Sequence, residues 1–243
     1  MKNLVKYILQ KVLGLKTYMS VFARFKIKTL HRDKKENDFF HFMGLLSDGK
    51  GAILDIGANL GVMSTHLARK FPHSTIHSFE PLPINYTVFQ KLQKKYNLKN
   101  SVLHTCALGD EVGEVKMILP VHKNTVLQGL SHVKHDSITE WNEGKEITVP
   151  IKRLDDFEWN ENVQGIKIDI ENFEYFALKG GVELIQKFKP IIYAELWENE
   201  NRDNCFELLK SFDYSIFVFH QNEFQEFQPK IHSTQNFFFR SNV

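Results

Sequence analysis

The chain has 243 residues, 42% hydrophobic and 25% charged, with a formal net charge of +2. That length suits a single α/β unit with a full core, and 21 phenylalanines at so small a net charge exclude a mainly disordered chain. No apolar run approaches the roughly 18 residues of a transmembrane helix, and two cysteines, Cys106 and Cys205, exclude a disulfide scaffold and fit a reducing compartment.

The first 35 residues hold ten basic side chains against one acid, Asp33, so the rest carries 21 basic and 28 acidic residues, a net of −7. A basic arm, residues 1–36, therefore precedes an acidic domain, residues 37–243. In the arm, Leu4, Val5, Ile8, Leu9, Val12 and Leu13 recur at helical spacing. Lys6 and Lys11 interrupt that stretch and no small-residue cleavage site follows, which argues against a secretory signal. Two readings stay open: an interfacial helix on anionic lipid at the inner face of a cytoplasmic membrane, or a helix whose stripe packs on the domain.

Asp38–Leu46 predicts a short helix and Ala52–Ile56 a strand closing on glycines. Val62–Lys70 continues as a helix that ends before Pro72. A strand over Thr75–Phe79, a helix over Asn85–Tyr96 and a strand over Ser101–Cys106 follow. Val115–Leu119 and Ile147–Ile151 alternate as strands around a polar stretch. Ile166–Ile170 is a strand, Phe173–Leu178 a helix, and Gly180-Gly181 suits a left-handed cap, with Val182–Phe188 resuming as helix. Ile191–Leu196 (strand), Asp203–Ser211 (helix), Tyr214–Phe219 (strand) and Asn236–Arg240 (strand) complete the chain. Such alternation calls for a mainly parallel sheet covered on both faces.

The chemistry gathers at strand ends. Asp55-Ile-Gly57-Ala-Asn59-Leu-Gly61 follows an apolar strand and opens a helix, where ligands bind in a doubly wound sheet. The G-x-G-x-x-G spacing of a nicotinamide dinucleotide site is absent, and Asp55 would repel a pyrophosphate. It suits a cation, such as the amino group or sulfonium of S-adenosylmethionine. Glu80 ends the second strand 19 residues after Gly61, near the offset at which an acid binds ribose hydroxyls.

These motifs, with Phe79-Glu80-Pro81, Ala107-Leu108-Gly109-Asp110, Leu154-Asp155-Asp156 and Ile166-Lys-Ile-Asp169-Ile-Glu171-x-x-Glu174 in that order, resemble the FkbM-type S-adenosylmethionine-dependent methyltransferases over roughly residues 50–240. The resemblance implies a Rossmann-like class I methyltransferase fold: a mainly parallel seven-stranded sheet with helices on both faces and an antiparallel last strand, for which Asn236–Arg240 is the segment available. It also implies methyl transfer from S-adenosylmethionine to a hydroxyl, on a sugar of a glycolipid or polysaccharide or on a natural product. By the same carry-over, Asp55, Gly57, Asn59 and Gly61 line the methionine end of the cofactor, Glu80 holds the ribose, and Leu108 and Asp110 border the adenine. One departure is Asn172, where the family usually has Gly; Asn tolerates a left-handed backbone.

Methyl transfer to oxygen requires the acceptor to lose a proton, and a carboxylate at the sheet's carboxyl edge is suited to take it. Asp169 and Glu171 are the catalytic candidates, with Glu195 placed to join them. The same acids would suit a hard divalent cation, but no metal ligand set is assigned. Lys167 reads as the partner of one acid in a buried ion pair. His122, His132 and His135 match no zinc spacing, and one of them in the polar insertion is an alternative base; Ser131 and Asn124 are open as acceptor contacts. An acidic body argues against a nucleic-acid partner, and the resemblance implies a small-molecule or glycan acceptor. A non-catalytic binding protein of the same fold, and an oxidoreductase using a nicotinamide dinucleotide, are the competing classes.

Overall fold

The computed structural model describes residues 2–122, 125–126, 131–135, 138 and 144–242, with side chains from residue 6 onward except those of residues 121, 122, 125 and 126. Two helices come first, α1 (Lys2–Leu13) and α2 (Leu15–Thr29), then α3 (Asn37–Leu45). The parallel half follows as β1 (Ala52–Ile56), α4 (Val62–Lys70), β2 (Thr75–Phe79), α5 (Pro83–Tyr96) and β3 (Ser101–His104). The insertion holds β4 (Ala107–Leu108), β5 (Gly113–His122), β6 (Thr125–Val126), β7 (His132–Val133) and β8 (Gly144–Lys152). The last part comprises β9 (Val163–Ile168), α6 (Glu174–Lys179), α7 (Val182–Phe188), β10 (Ile191–Glu195), α8 (Glu200–Lys210), β11 (Tyr214–His220), β12 (Glu223–Glu226) and β13 (Asn236–Ser241).

The main sheet runs β12-β11-β13-β10-β9-β1-β2-β3. β1 pairs in parallel with β2 and β9, and β9 with β10, while β13 is antiparallel to both β10 and β11. The antiparallel strand expected at Asn236–Arg240 is therefore present. The sheet has eight strands rather than seven, because β11 turns back as β12 through Gln221 and Asn222, both left-handed at φ 52° and 68°. Two consecutive left-handed residues make the tight turn whose twist suits a hairpin; neither residue is glycine, so the turn had no clear mark in the sequence.

Helices cover both faces, so the central strands bury on both sides. All five residues of β1 are buried, and so are Phe237, Phe238 and Phe239 in succession. α5 starts with Pro83 in its first turn, whose fixed φ suits that place. It stops at Asn97, left-handed at φ 52° with its N–H on the carbonyls of Gln93 and Lys94.

Gly180 and Gly181 do not form the expected left-handed cap; their φ values are −76° and −127°. Gly180 meets a steric demand instead, since a Cβ there would lie 1.9 Å from the carbonyl oxygen of Gly109. The insertion forms a second sheet, β4-β8-β5-β6, with β7 also on β5. Its apolar face, including Met117, Leu119, Val133, Val149 and Ile151, packs with Leu82 and Phe173. That places the insertion over the carboxyl ends of the parallel strands.

Gly14, left-handed at φ 73°, separates the two helices of the arm. α2 buries Tyr18, Met19, Ala23 and Ile27 against Leu60, Val88 and Leu92 of the body. An interior Met or Ile contributes roughly 2 kcal/mol, so α2 is fastened across the boundary expected at residue 36. Both cysteines are free and buried.

Candidate active site

Parallel register brings three strand ends to one point. Ile56 lies beside Phe79 on one flank and Ile168 on the other. The next residues, Gly57, Glu80 and Asp169, therefore meet at the carboxyl edge of the sheet. The N–H groups of Gly57 and Ala58 both donate to the carbonyl of Phe79, at 3.1 and 2.9 Å, and Asp169 N–H donates to the carbonyl of Ile56 at 3.1 Å. Gly57 has φ 78°, and a Cβ there would stand 1.9 Å from the Asp169 carbonyl oxygen. Only glycine allows that approach.

A cavity with about 650 Å³ of empty space, part of it open to solvent, lies over this junction. Six of the residues singled out from the sequence line it: Gly57, Asn59, Glu80, Leu108, Asp169 and Glu171. Ser131, one of the open acceptor contacts, lines it too. Asn124 and the side chain of His122 lie outside the described residues.

Glu80 is buried at 4% exposure and held by three donors. Asn59 N–H reaches one carboxyl oxygen at 2.8 Å; Leu82 N–H and the Asn85 amide reach the other at 2.9 and 3.2 Å. Burial pushes Glu80 up to about 7, against the pull of these hydrogen bonds. The carboxyl is thus fixed in orientation at the cavity wall, as an acceptor for vicinal hydroxyls must be. Asn85 is a site residue that sequence reasoning missed. Its Nδ2 must face the carboxylate, so its Oδ1 turns away and is buried without a partner among the described residues. A signal was available: Asn85 sits in the first turn of a helix that starts just beyond the strand-end acid.

Three residues expected to touch the cofactor stand apart from the cavity lining. Asp55 is fully buried and does not line the cavity; it accepts from Ser64 Oγ, and its other oxygen faces Lys167 Nζ at 3.3 Å. The register Asp55↔Lys167 makes the two direct neighbours, so this acid is matched by a protein cation rather than left for a ligand. Lys167 also donates to the Gly57 carbonyl at 3.2 Å and lies 3.8 Å from Asp169. Burial works against its charge, but Asp55 and then Asp169 outweigh that and hold the ammonium above its ordinary value. The ion-pair reading of Lys167 therefore holds. Gly61 caps α4 at φ 78° beneath the Phe89 ring, 2.2 Å from where a Cβ would be, and does not reach the cavity. Asp110 turns outward to Lys179 at 2.8 Å.

On the opposite wall, β9 ends at Ile168, two residues sooner than expected. Glu171 and Asn172 are consecutively left-handed, at φ 56° and 77°. This turn swings Glu171 into the cavity wall and is braced by Glu174, which accepts from the N–H groups of Ile170 and Asn172 at 2.8 and 3.3 Å. Glu174 is itself buried and raised to about 8 by that burial, so it supports the loop and does not face the cavity. The Asn172 side chain accepts from Asn199 at 2.8 Å, and its carbonyl accepts from Asn201 at 3.0 Å.

Burial, then the charges of Asp169 and Glu195, pushes Glu171 up to about 9; burial, then Asp169, lifts Glu195 to about 7. Glu171 is thus a protonated acid near neutral pH that a nearby cation would ionise. The ring of His135 lies 4.5 Å from Phe176 and 5.8 Å from Phe173, a cavity-lining side chain.

A cavity at the carboxyl edge of a largely parallel sheet, between a glycine turn and an oriented acid, lies where doubly wound α/β folds bind their ligands. Residues 55–238 match the model of the methyltransferase FkbM domain, and the chain belongs to that family. "Methyltransferase 1" of Beauveria bassiana is 29% identical over 142 residues, 53% of this chain and 57% of that protein. "Methyltransferase sdnD" of Sordaria araneosa is 26% identical over 173 residues, 60% of this chain and 66% of that protein. The chain thus matches less than two thirds of the length of either relative. The crystal structure of an FkbM methyltransferase from Methylobacillus flagellatus superposes with a TM-score of 0.53 at 16% identity, covering 98% of this chain and 59% of that one. That likeness supports the fold.

Proposed function

We propose that this methyltransferase takes its methyl group from S-adenosylmethionine and delivers it to a hydroxyl of a sugar or natural product. The observation that carries the reading is one cavity with two unlike walls: the Gly57–Asn59 turn with the fixed Glu80 carboxyl on one side, and the ionisable Asp169–Glu171 pair on the other. The residues fit such a cofactor: Gly57 leaves room for close approach, Glu80 Oε2, which takes only the Asn59 N–H, keeps a lone pair for a ribose hydroxyl, and Asn85 Oδ1, unpartnered among the described residues, can take a donor. When bound, the cofactor supplies an electrophilic methyl group and positive charge.

Glu171 then acts as the base. Its high resting pKa means that it needs a bound cation to ionise, after which it accepts the hydroxyl proton in this carboxyl-rich wall. Asp169 contributes negative charge and aligns against Lys167. Met117, Val133 and Phe173 give the cavity an apolar roof from the insertion sheet and the α6 turn, which limits water around the reacting oxygen. Turnover assays with labelled cofactor and a panel of sugar and lipid acceptors test this. Glu171→Gln and Asp169→Asn should each lose at least about 100-fold in turnover, the usual scale for a lost proton acceptor, a far larger effect than their weakening of cofactor binding. Full activity in both variants would move the base elsewhere, with His135 the next candidate.

A further inference from the structure

The arm carries a feature that methyl transfer does not use. Six of the nine exposed large apolar side chains among the described residues lie in α1 and α2: Ile8, Leu9, Val12, Leu13, Val21 and Phe25. In α1 the arrangement is inverted relative to an ordinary surface helix. Ile8, Leu9, Val12 and Leu13 share one helical face and are 50%, 40%, 75% and 40% exposed, whereas Tyr7 and Gln10 on the other side, and Lys6 at the edge of the stripe, are partly covered. Burial draws the Lys6 ammonium below its ordinary value. The apolar stripe faces away from the body.

α2 is anchored by its own buried face, and Gly14 at φ 73°, with nothing within 4 Å of a Cβ position, joins the two helices. Among the described residues, the outward stripe of α1 therefore completes no core. Charge says what would cover it. Residues 1–32 contain eight basic side chains and no acid, and Lys11 closes α1. A second copy meeting this face head-on would bring the same charge. An anionic surface with an apolar interior matches both halves of the pattern.

We infer that the outward face of α1 docks on an anionic lipid bilayer, with its lysines at the headgroups. The inference is independent of the methyl acceptor and of the cofactor. The test uses the full chain, sedimented with vesicles of phosphatidylcholine alone and of phosphatidylcholine with phosphatidylglycerol, at low and high salt, beside the double variant Ile8→Asp/Val12→Asp. Both positions are exposed, so the variant should melt as the parent does. The expected result is binding to the phosphatidylglycerol vesicles only, weakened by salt, and at least about tenfold weaker in the variant, the scale of losing one buried aliphatic side chain. Equal binding by parent and variant, or no binding by the parent, overturns the inference. A variant-sensitive increase in mass by light scattering, without vesicle binding, assigns the face to a second copy and overturns it as well.

Discussion

Whether an acid binds a ligand or braces the fold is decided by what stands beside it. Asp55 and Glu80 look alike in the sequence, each near the end of a parallel strand, yet Asp55 has a lysine neighbour in the register and Glu80 a ring of amide donors. Asp55→Asn therefore leaves the buried ammonium of Lys167 without its nearest countercharge. Removing one partner of a buried pair costs about 3–5 kcal/mol. Denaturant unfolding should show that loss. A variant as stable as the parent, with weakened ligand binding instead, would return Asp55 to the role of a ligand contact. Asn85 illustrates the converse. Its part emerges only once Glu80 is seen to be buried, because an amide facing a carboxylate has a single workable orientation.

At the scale of elements, the motif-bearing turns matter most. Asn172 sits in a left-handed conformation that costs an ordinary residue about 1–2 kcal/mol, and its side chain holds Asn199, the N-cap of α8. Asn172→Gly relieves the strain and loses a hydrogen bond worth about 1 kcal/mol, so the two effects nearly cancel. Asn172→Ala keeps the strain and loses the bond, and should cost about 1–2 kcal/mol by thermal unfolding. An alanine variant as stable as the glycine variant would refute this account of the turn.

The strands and helices of the parallel half were legible because β1, α4 and β2 carry continuous apolar runs or helical spacing bounded by Gly and Pro, and their limits coincide with those expected. β12 was not, since a turn of Gln221 and Asn222 lacks the usual glycine. In the site, Gly57, Asn59, Glu80, Asp169 and Glu171 could be read from strand ends, while Met117, Val133 and Phe173 could not. The roof depends on how an insertion folds over the sheet, which local pattern does not encode.

For the whole molecule, the buried carboxyls tie stability to pH. Glu171 and Glu174 are raised to about 9 and about 8 in the folded chain, against roughly 4.3 for glutamate in an unfolded one. Between pH 7 and 9 the folded state therefore holds protons that the unfolded state has released. A raised carboxyl contributes most below its unfolded value and loses that contribution as pH climbs through its folded value, so stability should fall across this window. Thermal melts at pH 7, 8 and 9 should show the decline, and Glu171→Gln should flatten it. An equally steep decline in the variant would mean that Glu171 is ionised in the resting protein.

The same wall governs which ligand the cavity takes. A cavity that pairs oriented acceptor oxygens with cation-seeking carboxyls should select a positively charged adenosine ligand over a pyrophosphate. Titration calorimetry of the purified chain with S-adenosylmethionine, S-adenosylhomocysteine and a nicotinamide dinucleotide tests that selection. The account predicts micromolar binding of the first two, on the order of −8 kcal/mol, weakened by about 1–3 kcal/mol in Glu80→Ala, and no comparable binding of the dinucleotide. Preferential binding of the dinucleotide, or binding of S-adenosylmethionine that Glu80→Ala leaves untouched, would contradict it.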